Sequence, residues 1–259
     1  MSQGKAIELH QLSIGYTAPR HIVAQELNAI AQSGTLTCLL GRNGMGKSTL
    51  LRTIAHLQPP IDGRVAIGGR DIAELTTNEV ARTLSIVLTR RPDVDNLSVK
   101  EAVALGRAPY TGLFGSLSAN DKTAVDMAMR CVGIDEMANR RICTLSDGEM
   151  QKVMIAKSLA QQTPIILLDE PTAFLDFPGK IGLLLLLRRI AREEDKTILL
   201  STHDLETALH TADQLWLLSS EGIAIGTPQS LAADGSIERY IGRDDVRLDR
   251  HTLSLTISV

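Results

Sequence analysis

The sequence predicts an α/β fold: a parallel core sheet with an antiparallel β subdomain and an inserted helical subdomain. Three observations lead there. Short apolar runs, PIILLDE (164–170), KTILLST (196–202) and DQLWLL (213–218), alternate with helical stretches, the pattern of parallel strands joined by crossovers. Ahead of them, residues 5–12 alternate in polarity and Gly63 to Gly69 resembles a hairpin arm, both antiparallel signals. Between the two regions, from about Ser98 to Ala160, apolar residues recur at helical spacing.

Taken in order, residues 5–12 are expected to form a strand, GYTAPR (15–20) a turn and 21–27 a second strand. TLTCLL (35–40) reads as a buried strand and STLLRTIAHL (48–57) as a helix. The residues linking them, GRNGMGKST (41–49), meet the pattern G-x-x-x-x-G-K-[ST] through Gly41, Gly46, Lys47 and Ser48. Glycines on a strand-to-helix turn leave backbone N–H groups free to point inward, and the helix start adds the positive end of its dipole. That is a cradle for phosphate oxygens. Asn43, Gly44 and Thr49 complete the candidate loop, Lys47 is placed to reach the β- and γ-phosphates, and Ser48 to ligate Mg²⁺.

Leu84 to Leu88 reads as another buried strand, followed by the helical lobe. SVKEAVALGR (98–107) opens on a capping-box pattern, and SANDKTAVDMAMRCVG (118–133) and DGEMQKVMIAKSLA (147–160) are helical in period. The greasiest stretch, Ile181 to Leu187, is closed by Arg188 and Arg189, too short to span a bilayer, and reads as a buried helix. Residues 227–259 suggest a short helix and a final alternating segment, HTLSLTISV.

Composition narrows the function. Of 259 residues, 27 are basic and 30 acidic, for a formal charge of −3, and aromatics make up only 3 %. Neither a basic field nor a base-stacking surface calls for nucleic acid. Cys38, Cys131 and Cys143 are scattered without C-x-x-C spacing, which argues against a zinc site or a disulfide framework and fits a reducing cytosol. No apolar signal core or membrane span is visible, so a membrane role is expected to come through a partner.

Two further motifs refine the reading. The strand Ile165 to Leu168 ends in Asp169 and Glu170, placing one carboxylate to hold Mg²⁺ and the next to orient or deprotonate a water. Leu145-Ser146-Asp147-Gly148-Glu149 then precedes a helix. Ser146 offers a hydroxyl, Gly148 a close backbone N–H, and the helix start a second anion site; an ordinary Ser146 helix cap is equally compatible.

LSDGE resembles the signature of ATP-binding-cassette (ABC) ATPases, usually L-S-G-G-Q, and in this order with the other motifs the chain is identified as a member of that P-loop NTPase family. The resemblance covers roughly residues 5–232. It implies a nucleotide-binding domain over 1–232, with the lobe at about 98–160, and a C-terminal extension over 233–259 with no assigned role. It also implies that Tyr16 stacks on adenine, that AFLD (173–176) is the D-loop, and that His203 of STHD is the switch histidine near the γ-phosphate. Catalysis would then rest on Glu170, His203 and Lys47, Mg²⁺ on Ser48 and Asp169. In the family two cassettes close head to tail on two ATP molecules, so Ser146 and Gly148 would contact the γ-phosphate bound to a second copy.

The segment ALGRAPYTGLFGSLSANDK (104–122) carries an L-G-R-x-P-Y run that resembles importers of ferric siderophores, haem and vitamin B12. That resemblance implies transmembrane permease partners, an extracytoplasmic substrate-binding protein met indirectly, and a peripheral place on the cytoplasmic face of the membrane. Arg90, Arg91 and Pro92 would lie near the permease contact. Its alternative is a Pro/Gly loop without bearing on substrate. Two departures stand out. Thr89 occupies the place of the family's glutamine, which touches Mg²⁺, and Asp147 and Glu149 are acidic where glycine and glutamine are usual. The acids are expected to face away from phosphate, toward solvent or the helix start. These departures keep open a second reading, a regulatory or non-transport cytosolic cassette with weak hydrolysis.

Overall fold

The computed structural model describes residues 4–89, 96–112, 115–243 and 245–257. Strands β1 (Lys5–Thr17), β2 (Arg20–Gln32), β4 (Asp62–Ile67) and β5 (Arg70–Asp71) form an antiparallel sheet in the order β2-β1-β4-β5. Strand β3 (Leu36–Gly41) instead enters the main sheet, and helix α1 (Lys47–Ile54) follows it. After α2 (Thr77–Thr83) and β6 (Leu84–Val87) comes the lobe: α3 (Val99–Ala104), α4 (Ala119–Val132) and α5 (Asp147–Ala160). The chain returns through β7 (Ile165–Leu168), α6 (Phe177–Glu193), β8 (Thr197–Thr202), α7 (Leu205–Thr211), β9 (Gln214–Ser219) and β10 (Gly222–Gly226). Helices α8 (Pro228–Ala233) and α9 (Ser236–Ile241) and the hairpin β11 (Val246–Leu248) and β12 (Leu255–Ile257) complete it.

The main sheet runs β10-β9-β3-β8-β7-β6, parallel except for the β9–β10 pair. Both of its faces are covered, so its strands are apolar without alternation. Successive residues of β3 divide between two cores. Leu39 joins Ile7, Leu12, Leu50 and Trp216 beneath the antiparallel sheet and α1, whereas Cys38 and Leu40 join Val153, Leu187 and Leu200 on the side of the lobe and α6. Burial pushes the Cys38 thiol up to about 12, so this cysteine is a packing residue. Carboxyl ends of parallel strands gather at one edge, where loops collect functional groups.

Several boundaries differ from expectation, each for a physical reason. GYTAPR is mostly strand: β1 continues to Thr17 and only residues 18 and 19 turn. Gly15 is there because a Cβ would sit 2.0 Å from the His21 carbonyl oxygen. Register shifts within the β1–β2 pair break the alternation that sequence reading follows. Helix α1 ends at Ile54, three residues early, and His56 beyond it has φ 57. Helix α6 is amphipathic rather than wholly buried: Leu183, Leu184 and Leu187 face the core, while Leu185 is 51 % exposed. The tail holds two helices, and its alternating end is one arm of a hairpin. Ile237 and Leu253 from it join the lobe-side core.

The L-G-R-x-P-Y run also acquires a structural role. Arg107 is 5 % exposed and donates to Asp121 Oδ1 at 2.8 Å, the Ala160 carbonyl at 2.7 Å and Gln162 Oε1 at 2.8 Å. Its guanidinium lies 4.0 Å from the Tyr110 ring centroid. Gly106 is required, since a Cβ would meet the Lys157 carbonyl oxygen at 2.1 Å. The segment thereby locks the start of α4 to the end of α5.

Candidate functional site

Gly41 ends β3, and the turn after it closes through the Met45 N–H to the Arg42 carbonyl at 3.2 Å. Gly44 and Gly46 have φ of 84° and 94°, conformations that disfavour any side chain. At Gly46 a Cβ would also stand 2.4 Å from Val23 Cγ1. The loop therefore adopts a tight turn, with Asn43 at its exposed tip, and delivers α1 with Lys47 and Ser48 at its first positions.

Lys47 is 7 % exposed. Its ammonium donates to the Gly41 carbonyl at 2.8 Å and lies 3.2 Å from Glu170 Oε1. The other Glu170 oxygen, Oε2, is 2.9 Å from His203 Nδ1. Ser48 Oγ donates to Asp169 Oδ1 at 3.0 Å. Asp169 and Glu170 leave β7 at the sheet edge, β8 supplies the neighbouring Ser201, and His203 follows β8. Three segments far apart in sequence thus converge on one cluster: Lys47, Ser48, Asp169, Glu170 and His203. Tyr16 is half exposed, with its hydroxyl 3.5 Å from Thr49 Oγ1, on the flank of the same loop.

Sequence reasoning missed Ser201. Its hydroxyl donates to Asp169 Oδ1 at 2.8 Å and accepts the Glu170 N–H at 2.8 Å, bracing both acids. Glu170 has φ 49, a left-handed conformation costing about 1–3 kcal/mol that Ser201 helps to hold. A serine two residues before His203 is the available signal, but serines at strand ends are commonplace. A second omission is Arg42, whose Nη2 donates to the Ile241 carbonyl at 3.1 Å and ties α9 to the phosphate loop.

Thr89 donates to the Asp169 carbonyl at 2.9 Å, turned toward the strand end. Arg90, Arg91 and Pro92 lie outside the described residues.

Ser146 and Gly148 form a separate group on the lobe. Ser146 caps α5 in a full capping box: Glu149 N–H donates to its Oγ at 3.3 Å, and Glu149 Oε2 accepts the Ser146 N–H at 2.8 Å and hydroxyl at 2.9 Å. Gly148 packs against the AFLD segment (173–176), where a Cβ would come 3.3 Å from Leu175 Cδ2. Glu149 therefore turns back on the helix start, as expected of it, and Asp147 is exposed. The Ser146 amide, its hydroxyl and then Arg140 hold the Glu149 carboxyl below its usual range.

Such a cluster, a lysine and a helix start facing two strand-end carboxylates, suits a nucleoside triphosphate. Comparison with known proteins agrees. The sequence model of the ABC transporter family matches residues 24–173. The ferric enterobactin transport ATP-binding protein of Escherichia coli is 39 % identical over 234 residues, 90 % of this chain and 85 % of that protein. The cobalamin import ATP-binding protein of Halobacterium salinarum is 33 % identical over 91 % of this chain and 59 % of that protein. Among solved structures, the dimeric structure of a bacterial ABC transporter cassette superposes with a TM-score of 0.74 at 25 % identity, over 86 % of this chain and 98 % of that one. With these motifs on this fold, the chain belongs to the ABC transporter family as an ATP-binding, ATP-hydrolysing cassette.

Proposed function

We propose that this cassette powers uptake of an iron chelate (a ferric siderophore or haem) or of cobalamin through a partner permease. It would work as a homodimer, peripheral on the cytoplasmic face of the membrane, with an extracytoplasmic binding protein presenting the cargo to the permease. The cluster Lys47–Glu170–His203 carries the ATPase part of the reading; similarity to enterobactin and cobalamin import subunits supports the cargo class. Among the described residues no helix is long and apolar enough to cross a membrane, which leaves the pore to a partner. A groove bordered by Leu57, Val80, Ile86 and Met154, between the antiparallel side and the lobe, offers a seat for a permease helix.

In this reading Lys47 and the loop amides bind the β- and γ-phosphates, with Tyr16 against the base. Glu170 accepts a proton from the attacking water, and His203, on its Oε2, keeps the carboxylate oriented. Ser48 and Asp169 would hold Mg²⁺: a hydroxyl and a carboxylate 3.0 Å apart suit a hard cation that keeps most of its water and takes phosphate oxygens for the rest. Bound there, the ion would neutralise phosphate charge. Thr89 is turned to the Asp169 carbonyl, so it would act on the metal site only through that backbone.

Uptake of labelled ferric chelate and labelled cobalamin by cells lacking this chain tests the proposal. Complementation with wild type is expected to restore one label, and complementation with Lys47→Ala neither. Normal uptake of both labels in the deleted strain would refute it in favour of a non-transport cassette.

A further inference from the structure

We propose that Arg140 is a positioning residue of the signature, cancelling the charge of Glu149 so that Ser146 and the start of α5 can receive a phosphate presented by a second copy of the chain. This inference rests on the proposed pairing of two cassettes.

The geometry places three donors on one carboxylate. Glu149 Oε2 takes the amide and hydroxyl of Ser146, and Oε1 takes Arg140 Nη1 at 2.9 Å. Arg140 Nη2 donates to the Thr144 carbonyl at 3.1 Å, which fixes the guanidinium beneath the turn leading to Leu145. The Ser146 hydroxyl proton therefore points at Glu149. To hold a phosphate, that proton must turn outward, leaving the carboxylate with one fewer donor and a new anion in front of it.

Charge makes the problem sharper. The first turn of α5 carries Asp147 and Glu149, which oppose the helix dipole where it would attract phosphate. Arg140 restores the balance at Glu149. A planar fork held on both a carboxylate and a carbonyl is pre-ordered, unlike a lysine. The pair is roughly half exposed, at 45 % and 33 %, so its influence belongs at the low end for charged hydrogen bonds.

The test uses the full chain carrying Glu170→Gln, sedimented across an ATP titration. Arg140→Ala is expected to raise the ATP concentration for half-maximal dimer about fivefold. Arg140→Gln, which keeps a polar side chain but has no charge, should behave alike and stands in if the alanine variant does not fold. Adding Glu149→Gln, which keeps the capping box, should bring either variant back to within about twofold of the parent. Unchanged dimerisation in both Arg140 variants would overturn the proposal. So would failure of Glu149→Gln to rescue, which would mean that Arg140 only clamps the loop. If the parent itself forms no dimer with ATP, the pairing of cassettes fails first and this inference with it.

Discussion

Replacing Glu170 by glutamine separates two demands placed on one carboxylate. Glu170 Oε1 lies 3.2 Å from Lys47 Nζ, and the two side chains are only 16 % and 7 % exposed. At that distance the attraction is about 1.3 kcal/mol in bulk water and about 5 kcal/mol at an effective dielectric of 20. Desolvation offsets part of it. A phosphate that recruits Lys47 has to displace the remainder, about 1–2 kcal/mol, so Glu170→Gln should bind ATP about 5- to 30-fold more tightly. Turnover should fall about 100- to 10,000-fold if Glu170 is the general base. Equilibrium binding of a fluorescent ATP, steady-state phosphate release and sedimentation read the three consequences: tighter binding, loss of turnover and a trapped dimer. Unchanged turnover would remove Glu170 as the base. Weaker ATP binding would refute the competition between carboxylate and phosphate for Lys47.

Three further outcomes follow from the same geometry. Ser201→Ala leaves the Glu170 N–H and Asp169 Oδ1 short of a partner, and should cost about 1–3 kcal/mol in thermal melts while raising the Mg²⁺ concentration needed for hydrolysis. Gly106→Ala drives a methyl to 2.1 Å from the Lys157 carbonyl oxygen and should destabilise by about 1–3 kcal/mol; an unchanged melting temperature would contradict that contact. Hydrogen bonds from Ser118 and Arg107 hold the Asp121 carboxyl at about 2, below its ordinary 3.8. Its folded value is the lower one, so its stabilisation is full above about pH 4 and fades toward about pH 2. Acid unfolding of wild type and Asp121→Asn should therefore differ at neutral pH and converge at the acid end.

The phosphate loop and the strand-end acids were legible because their chemistry depends on local spacing. Gly46, Lys47 and Ser48 are neighbours, and Asp169 and Glu170 end an apolar run. What escaped the sequence was contact across distance or irregular backbone. Arg107 meets Asp121 fourteen positions on and Ala160 fifty-three on, so the L-G-R-x-P-Y run showed a resemblance but not its buried ion pair. Arg42 reaches Ile241 across 199 positions. Glycine at 15 looked like a turn because sequence cannot distinguish a bend from the close approach of a paired strand. A helix cap at Ser146 was visible as a possibility, but its reciprocal bond with Glu149 and Arg140 beside it were not.

A common feature joins the two halves of the site. Every side chain suited to a phosphate or its metal already has an internal partner: Lys47 has Glu170, Ser48 has Asp169, and Ser146 has Glu149. Binding therefore exchanges contacts rather than adding them, and each exchange nets less than the new contact alone would contribute. A single cassette can exchange only the loop-side pairs, since Ser146 sits on the lobe with partners of its own. In the proposed pairing, the signature side contributes once a second copy presents its phosphate, which would tie the energy of closure to the presence of the γ-phosphate. Removing that group lets Ser146 return to Glu149 and Lys47 to Glu170. The paired resting contacts thus make opening favourable after hydrolysis, and weakening them should prolong the closed dimer.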